Sequence, residues 1–257
     1  MEEILPKEEA PTLDPTELQE VIEQGYKLLE EATCIEDIYD LIDYLGEEVR
    51  RCYTHIGCKP GSYACCVQAS SLPPITAAEW ELILYYVKTV LPPVIQEEIV
   101  ARARWHLANH KDALSLLQKN ITDPQSVNQL QGYEEVLARS LERSFCPFLV
   151  VDKCGVYPVR PARCRAQGFF LTKIDEVIIP YTCQPEQQKI EVLFQKQGNR
   201  MMSMPLWNVF EAYIRNLNPE DSLVGLIPLW ILAHVKGNQL VSVEELNPKP
   251  DMEQLLG

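Results

Sequence analysis

A mainly α-helical fold is predicted, with irregular cysteine-bearing loops and one or two short β-strands or a small hairpin. Apolar residues recur every three to four positions along most of the chain, capping signals precede several of those runs, and only eleven glycines occur in 257 residues. Asp14-Pro15-Thr16-Glu17 sets an N-cap, an N1 proline and an N3 acid ahead of Leu18, Val21, Ile22, Leu28 and Leu29. Thr33-Cys34-Ile35-Glu36 has the capping-box pattern, and Ile38, Leu41, Ile42, Leu45 and Val49 carry one apolar face to Cys52. Thr76-Ala77-Ala78-Glu79 repeats the pattern before Trp80, Ile83, Leu84, Val87 and Val90, and Pro92-Pro93 stops that run. Helical spacing continues over 94–118, 125–143, 186–197, 205–217 and 222–236. Short strands are expected at Val156 to Val159, Phe169 to Leu171 and Val177 to Tyr181, where β-branched and aromatic residues lie between prolines or glycines.

Eight of the nine cysteines fall into two groups: Cys52, Cys58, Cys65 and Cys66, then Cys146, Cys154, Cys164 and Cys183. The chain opens MEEILPKEEAPTLDP, acidic and proline-broken, unlike a secretory signal, so a cytoplasmic location is expected. No apolar run approaches the roughly 20 residues of a membrane span. Clustered thiols in a reducing compartment point to metal ligation before disulfides. All eight are candidate ligands of a zinc ion, an iron–sulfur cluster or both. Neither group has the short C-x2–4-C knuckle of a simple zinc site, and this irregular spacing makes iron–sulfur the preferred cofactor. Adjacent Cys65 and Cys66 are expected to point apart, so that they serve different metal atoms or only one of them is a ligand.

Charge is unevenly placed. Residues 1–50 have a net of −13 out of −14 for the whole chain. That segment is read as solvated acidic helices able to contact a protein partner, and no basic stripe suited to nucleic acid is present. Residues 143–173 are the opposite, with a net of +5. Cations stabilise neighbouring thiolates, so Arg160, Arg163 and Arg165 are the candidate residues supporting the cofactor; the alternatives are that one of them clamps a substrate carboxylate or phosphate, or that they form a plain basic surface patch. Asp152, Tyr157 and Gln167 are the further residues able to form a polar pocket beside it. His55 is a candidate replacement ligand, His106 and His110 are expected as a surface pair, His234 as a core residue, and Cys34 as a lone buried thiol.

The order Cys146-Pro-Phe-Leu, Cys154-Gly-Val-Tyr157 and Arg160-Pro161-Ala-Arg163-Cys164-Arg165 resembles the YkgJ-type cysteine-cluster family of zinc- or iron-chelating proteins with a CxxCxxCC signature. The Cys65-Cys66 pair followed by Thr76-x-x-Glu79 resembles that family's CC and T-x-x-E segments. The likeness spans about residues 52–185. It departs at the first signature, stretched here to Cys52-x5-Cys58-x6-Cys65-Cys66, and Cys183 matches only loosely. The resemblance implies a metal-binding protein; an alternative it also implies is an enzyme such as a protein lysine methylase using S-adenosylmethionine. No glycine-rich methyltransferase loop follows a strand in this chain. The expected organisation is one helical domain over 14–246 around the centre, with loose tails at 1–13 and 247–257.

Overall fold

The computed structural model describes residues 12–54, 56, 63–67, 72–123, 144–174, 176–182, 184–196, 202–220 and 222–257. The expected helix over 125–143, the tail 1–11, and His55, Cys58 and Cys183 lie outside them. The chain divides into two compact units, Met1–Lys59 with Arg165–Tyr213 and Pro60–Cys164 with Ile214–Gly257.

In the first unit, helix α1 (Pro15–Leu29) starts where its cap predicts. The Asp14 carboxylate accepts from the N–H groups of Thr16 and Glu17 at 2.7 and 3.0 Å, and Glu17 returns a bond to the Asp14 N–H. Helix α2 (Ile35–Cys52) starts one residue later than the Thr33 box implies. The acid that closes its first turn is Asp37, not Glu36: its Oδ2 accepts from Thr33 N, Thr33 Oγ1 and Cys34 N. The two helices bury Leu18, Ile22, Leu29, Ile38, Ile42, Leu45 and Val49. A Cβ on Gly25 would meet the Leu45 methyls at 3.0 Å, so glycine is what permits this close approach. Strands β4 (Phe170–Ile174) and β5 (Val177–Tyr181) form an antiparallel hairpin in the register Phe170↔Tyr181 to Ile174↔Val177. The unit also contains α6 (Gln184–Lys196) and the start of α7 (Trp207–Leu217), whose Phe210 packs edge-on against Phe170 at 5.2 Å and also meets Tyr26.

The second unit is organised around tryptophans. Helix α3 (Ala77–Val90) follows β1 (Pro74–Thr76), and β1 pairs antiparallel with β6 (Val224–Leu226), which leads into α8 (Ile227–Ala233). Trp80 of α3 stacks on Trp230 of α8 at 6.3 Å, and the Trp230 indole donates to the Ile75 carbonyl at 3.1 Å. Helix α4 (Pro93–Thr122) lies against α8 and β6, with its buried Gln118 bonding Val224 O and Leu226 N in the manner of a strand partner. Backbone angles at His110, φ −134° and ψ 25°, mark a kink in α4. Hairpins β2–β3 (Leu149–Val150, Lys153–Cys154) and β7–β8 (Val235–Lys236, Gln239–Leu240) are the other strand pairs among this unit's described residues.

The described residues are mainly helical, as predicted, with corrections. Eight short strands in four antiparallel pairs occur among them, rather than one or two. Tyr157–Val159 is a 3-10 turn and not a strand, because Pro158 fixes a helical φ and removes a ladder donor. The expected helix over 222–236 is a strand and then a seven-residue helix that begins at Pro228's turn. The C-terminal stretch, expected to be loose, carries helix α9 (Met252–Leu256), whose Met252 is buried in the core. No described helix is long and apolar enough to cross a membrane.

Candidate metal centre

All seven described cysteines are free thiols. They were expected on irregular loops, yet Cys65 and Cys66 lie in a 3-10 turn (Ala64–Val67), Cys154 in β3 and Cys164 in the short helix α5 (Ala162–Ala166). Cys146 alone of this set is on irregular backbone. Its N–H donates to the Cys66 carbonyl at 2.7 Å, and its carbonyl accepts from Leu149 N at 3.0 Å. The first of these bonds ties the turn at 64–67 to the start of the β2–β3 hairpin.

The same tie brings the sulfurs together. Cys66 is pushed above the ordinary thiol range, first by its hydrogen bond with the Cys146 thiol, against a lowering bond from Cys65, then by burial and by the nearby Cys146 and Cys154. Cys164 retains some exposed surface as a residue, but its thiol is pushed up by burial and then by Cys65, Cys154 and Cys66, with the Arg160 charge acting in the opposite direction. Cys66 thus senses Cys65, Cys146 and Cys154, and Cys164 senses Cys65, Cys66 and Cys154, all of them in the second unit. Crowding of this kind disfavours the thiolates until a cation joins them.

Cys65 Sγ and Cys66 Sγ are 3.8 Å apart. This corrects the expectation that adjacent cysteines point apart: that argument holds for extended backbone, whereas the tight turn at 64–67 folds the two side chains towards each other. Two thiolates on one tetrahedral Zn²⁺, each about 2.3 Å from it, are themselves roughly 3.8 Å apart. Among the described residues, however, no three or more His, Cys, Asp or Glu side chains meet in a geometry that holds a single ion.

The remaining expected ligands and supports divide. Cys52 is buried at the end of α2 in the first unit, its thiol raised by burial and by Asp14 and lowered by Tyr53. Arg160 lies over the Tyr157 ring at 4.1 Å, with its charge felt at Cys164. Arg163 is half-buried on α5. Arg165, on the same helix, pairs with Asp43 and lies over the Tyr39 ring at 4.3 Å, within the first unit. Asp152 is exposed in the β2–β3 turn. Cys34, expected to be buried, is exposed as the residue before α2; the Asp37 N–H lowers its pKa, but burial of the sulfur and the Asp37 and Glu36 charges outweigh this and the net shift is upward.

Two contributors were missed from sequence. Glu79 was assigned only to cap α3, through bonds from Thr76 N and Thr76 Oγ1 to Oε2 at 2.9 and 3.2 Å. Its second oxygen accepts from Ala162 N at 3.0 Å, fixing the start of the helix that carries Cys164. The second is His106, expected at the surface but fully buried, with Nε2 bonded to the Phe145 carbonyl beside Cys146. Burial lowers the His106 pKa to about 4, the Phe145 carbonyl opposes this, and His110 adds to it. The apolar residues flanking His106, Ala103 and Leu107, carried the only sequence hint. His234 is a core residue as expected, enclosed by Trp80, Trp230 and Asn247.

Comparison with protein-family models, with curated proteins and with solved structures finds no match. The donor chemistry therefore stands on its own. Five thiols of one unit, one arginine charge and a loop pinned by a carboxylate are suited to thiolate ligation of a soft or borderline metal.

Proposed function

We propose that this chain is a cysteine-cluster metal-binding protein, with Cys65, Cys66, Cys146, Cys154 and Cys164 as the thiolate donors. The observation that carries the reading is geometric: the Cys65 and Cys66 sulfurs are 3.8 Å apart in one turn, and the Cys66 carbonyl of that turn holds the N–H of Cys146, 80 residues further along, with Cys154 and Cys164 near enough to act on Cys66 or be acted on by it. An iron–sulfur cluster is the preferred occupant, because the donors lie at irregular spacing without the short C-x2–4-C knuckle of a simple zinc site. Zinc is the second reading, favoured by the 3.8 Å separation of the Cys65 and Cys66 sulfurs. When bound, either group supplies positive charge that the crowded thiolates need, and an iron–sulfur cluster supplies one-electron redox chemistry as well.

The residues have separable tasks. Cys65, Cys66, Cys146, Cys154 and Cys164 give up protons to bind; Arg160 offsets the resulting negative charge; Glu79 holds the α5 backbone at the position that presents Cys164. The acidic N-terminal helices are proposed to face a protein partner, and the cytoplasm is the proposed compartment.

The test is anaerobic purification followed by measurement of iron, zinc and acid-labile sulfide per chain, with the visible spectrum. Iron with sulfide is the expected result, and zinc alone selects the second reading. Neither metal, in protein that remains folded by circular dichroism, overturns the proposal.

A further inference from the structure

We propose that His106 and His110 form a second metal site, separate from the thiols, that takes a single imidazole-preferring divalent cation such as Zn²⁺. The proposal does not rest on the thiol reading. His106 Nδ1 and His110 Nε2 are both buried, and among the described residues neither has a hydrogen-bond partner. Buried polar nitrogens are nearly always satisfied, so two orphans on one helix face call for a missing partner. The bond from His106 to Phe145 decides what kind. A carbonyl can only accept, so Nε2 carries the hydrogen, and Nδ1 of the neutral ring is left as a bare lone pair. That is the form in which imidazole ligates a metal, with its other nitrogen held by a backbone carbonyl.

Ring placement agrees with a shared ion. An imidazole nitrogen lies about 2 Å from bound Zn²⁺, which sets the centres of two rings on one tetrahedral ion roughly 5 Å apart. The His106 and His110 ring centres are 5.7 Å apart. His110 lies four residues after His106 at the kink in α4, and the distance between the ring centres shows that the kink leaves the two rings side by side. Trp105 covers the pair, with its ring 5.2 Å from His106 and 5.0 Å from His110. Being more than one-third exposed, that indole can swing aside to admit an ion. Two imidazoles fill two coordination positions, and water fills the remainder.

The experiment uses the full chain, freed of metal and labelled with ¹⁵N at its four histidines. Zn²⁺ is the probe, and the imidazole nitrogens are followed by NMR. His106 Nδ1 and His110 Nε2 are expected to move together to metal-bound shifts and to saturate at one ion. His110→Ala should lose the His106 shift and weaken that binding step at least tenfold while retaining the wild-type circular dichroism. His106→Gln is the more disruptive variant because it also touches Phe145, so the partly exposed His110 carries the decision. Zn²⁺ uptake with unmoved histidine nitrogens assigns the ion to the thiols and overturns the second site. An unchanged His106 shift in His110→Ala overturns the pair.

Discussion

Glu79 accepts a hydrogen bond from the backbone N–H of Ala162, 83 residues further along, while the same carboxylate caps its own helix at Thr76. One buried side chain therefore joins the start of α3 to the turn that presents Cys164. Glu79→Ala should destabilise the protein by about 2–4 kcal/mol, since it strips a helix cap and leaves buried N–H groups unpaired. Thr76→Ala removes only one arm of the cap and should cost about 1 kcal/mol. Urea unfolding checks both values. Equal losses from the two variants would show that the Ala162 bond contributes nothing.

The thiol proposal predicts a graded serine series. Cys66→Ser, Cys146→Ser and Cys164→Ser should each lower bound metal and stability, and Cys34→Ser should change neither. Metal per chain and the melting temperature are the measurements. A Cys34 variant that loses metal as fully as the others would remove the basis for assigning ligands by proximity.

Two buried histidines make stability fall in acid. The pKa of His106 is lowered to about 4 and that of His234 is also lowered, with burial the leading cause in each. In the unfolded chain both titrate near 6.5, so below that pH the unfolded state binds more protons than the folded one. The contribution is present in full above about pH 6.5 and is lost as pH falls towards about 4, on the order of a few kcal/mol for His106. Urea midpoints of metal-free protein across this window should drop with pH. His106→Gln should flatten the slope; an unchanged slope would falsify the assignment.

Val151 and Asp152 form the two-residue turn of the β2–β3 hairpin, with φ of 47° and 57°. Positive φ suits asparagine and glycine and strains a β-branched valine. The Val151 side chain is exposed, so replacing it sacrifices no packing. Val151→Asn with Asp152→Gly should stabilise the protein by about 1 kcal/mol, seen as a rise of a few degrees in Tm. No rise would mean that the turn stores no strain.

Arg165 sits on the cysteine-bearing helix α5 but is held by Asp43 and Tyr39. Arg165→Ala should cost about 1–3 kcal/mol from the lost ion pair and ring contact, with bound metal unchanged in the folded fraction. Arg160→Ala should do the reverse, lowering metal affinity with little effect on stability. Paired metal and urea measurements distinguish the two arginines.

The capped starts of α1 and α3 and the β5 strand were legible in the sequence because the interactions that define them lie within a few residues. Asp14 with Glu17, and Thr76 with Glu79, are separated by three positions, so a pattern in the chain is already a hydrogen bond in space. At α2 one step failed: Glu36 and Asp37 are both acids near the cap, and because the helix is capped at Cys34 and not Thr33, Asp37 stands at N3 and makes the bond. The grouping of thiols was likewise readable as composition. Which of them meet was not, because Cys66 reaches Cys146 through a backbone bond across 80 residues. Tertiary structure also decided that Arg165 turns to Asp43, that Glu79 serves two segments, and that His106 is buried. Each of these depends on what the far side of a helix packs against, and no local spacing encodes that choice.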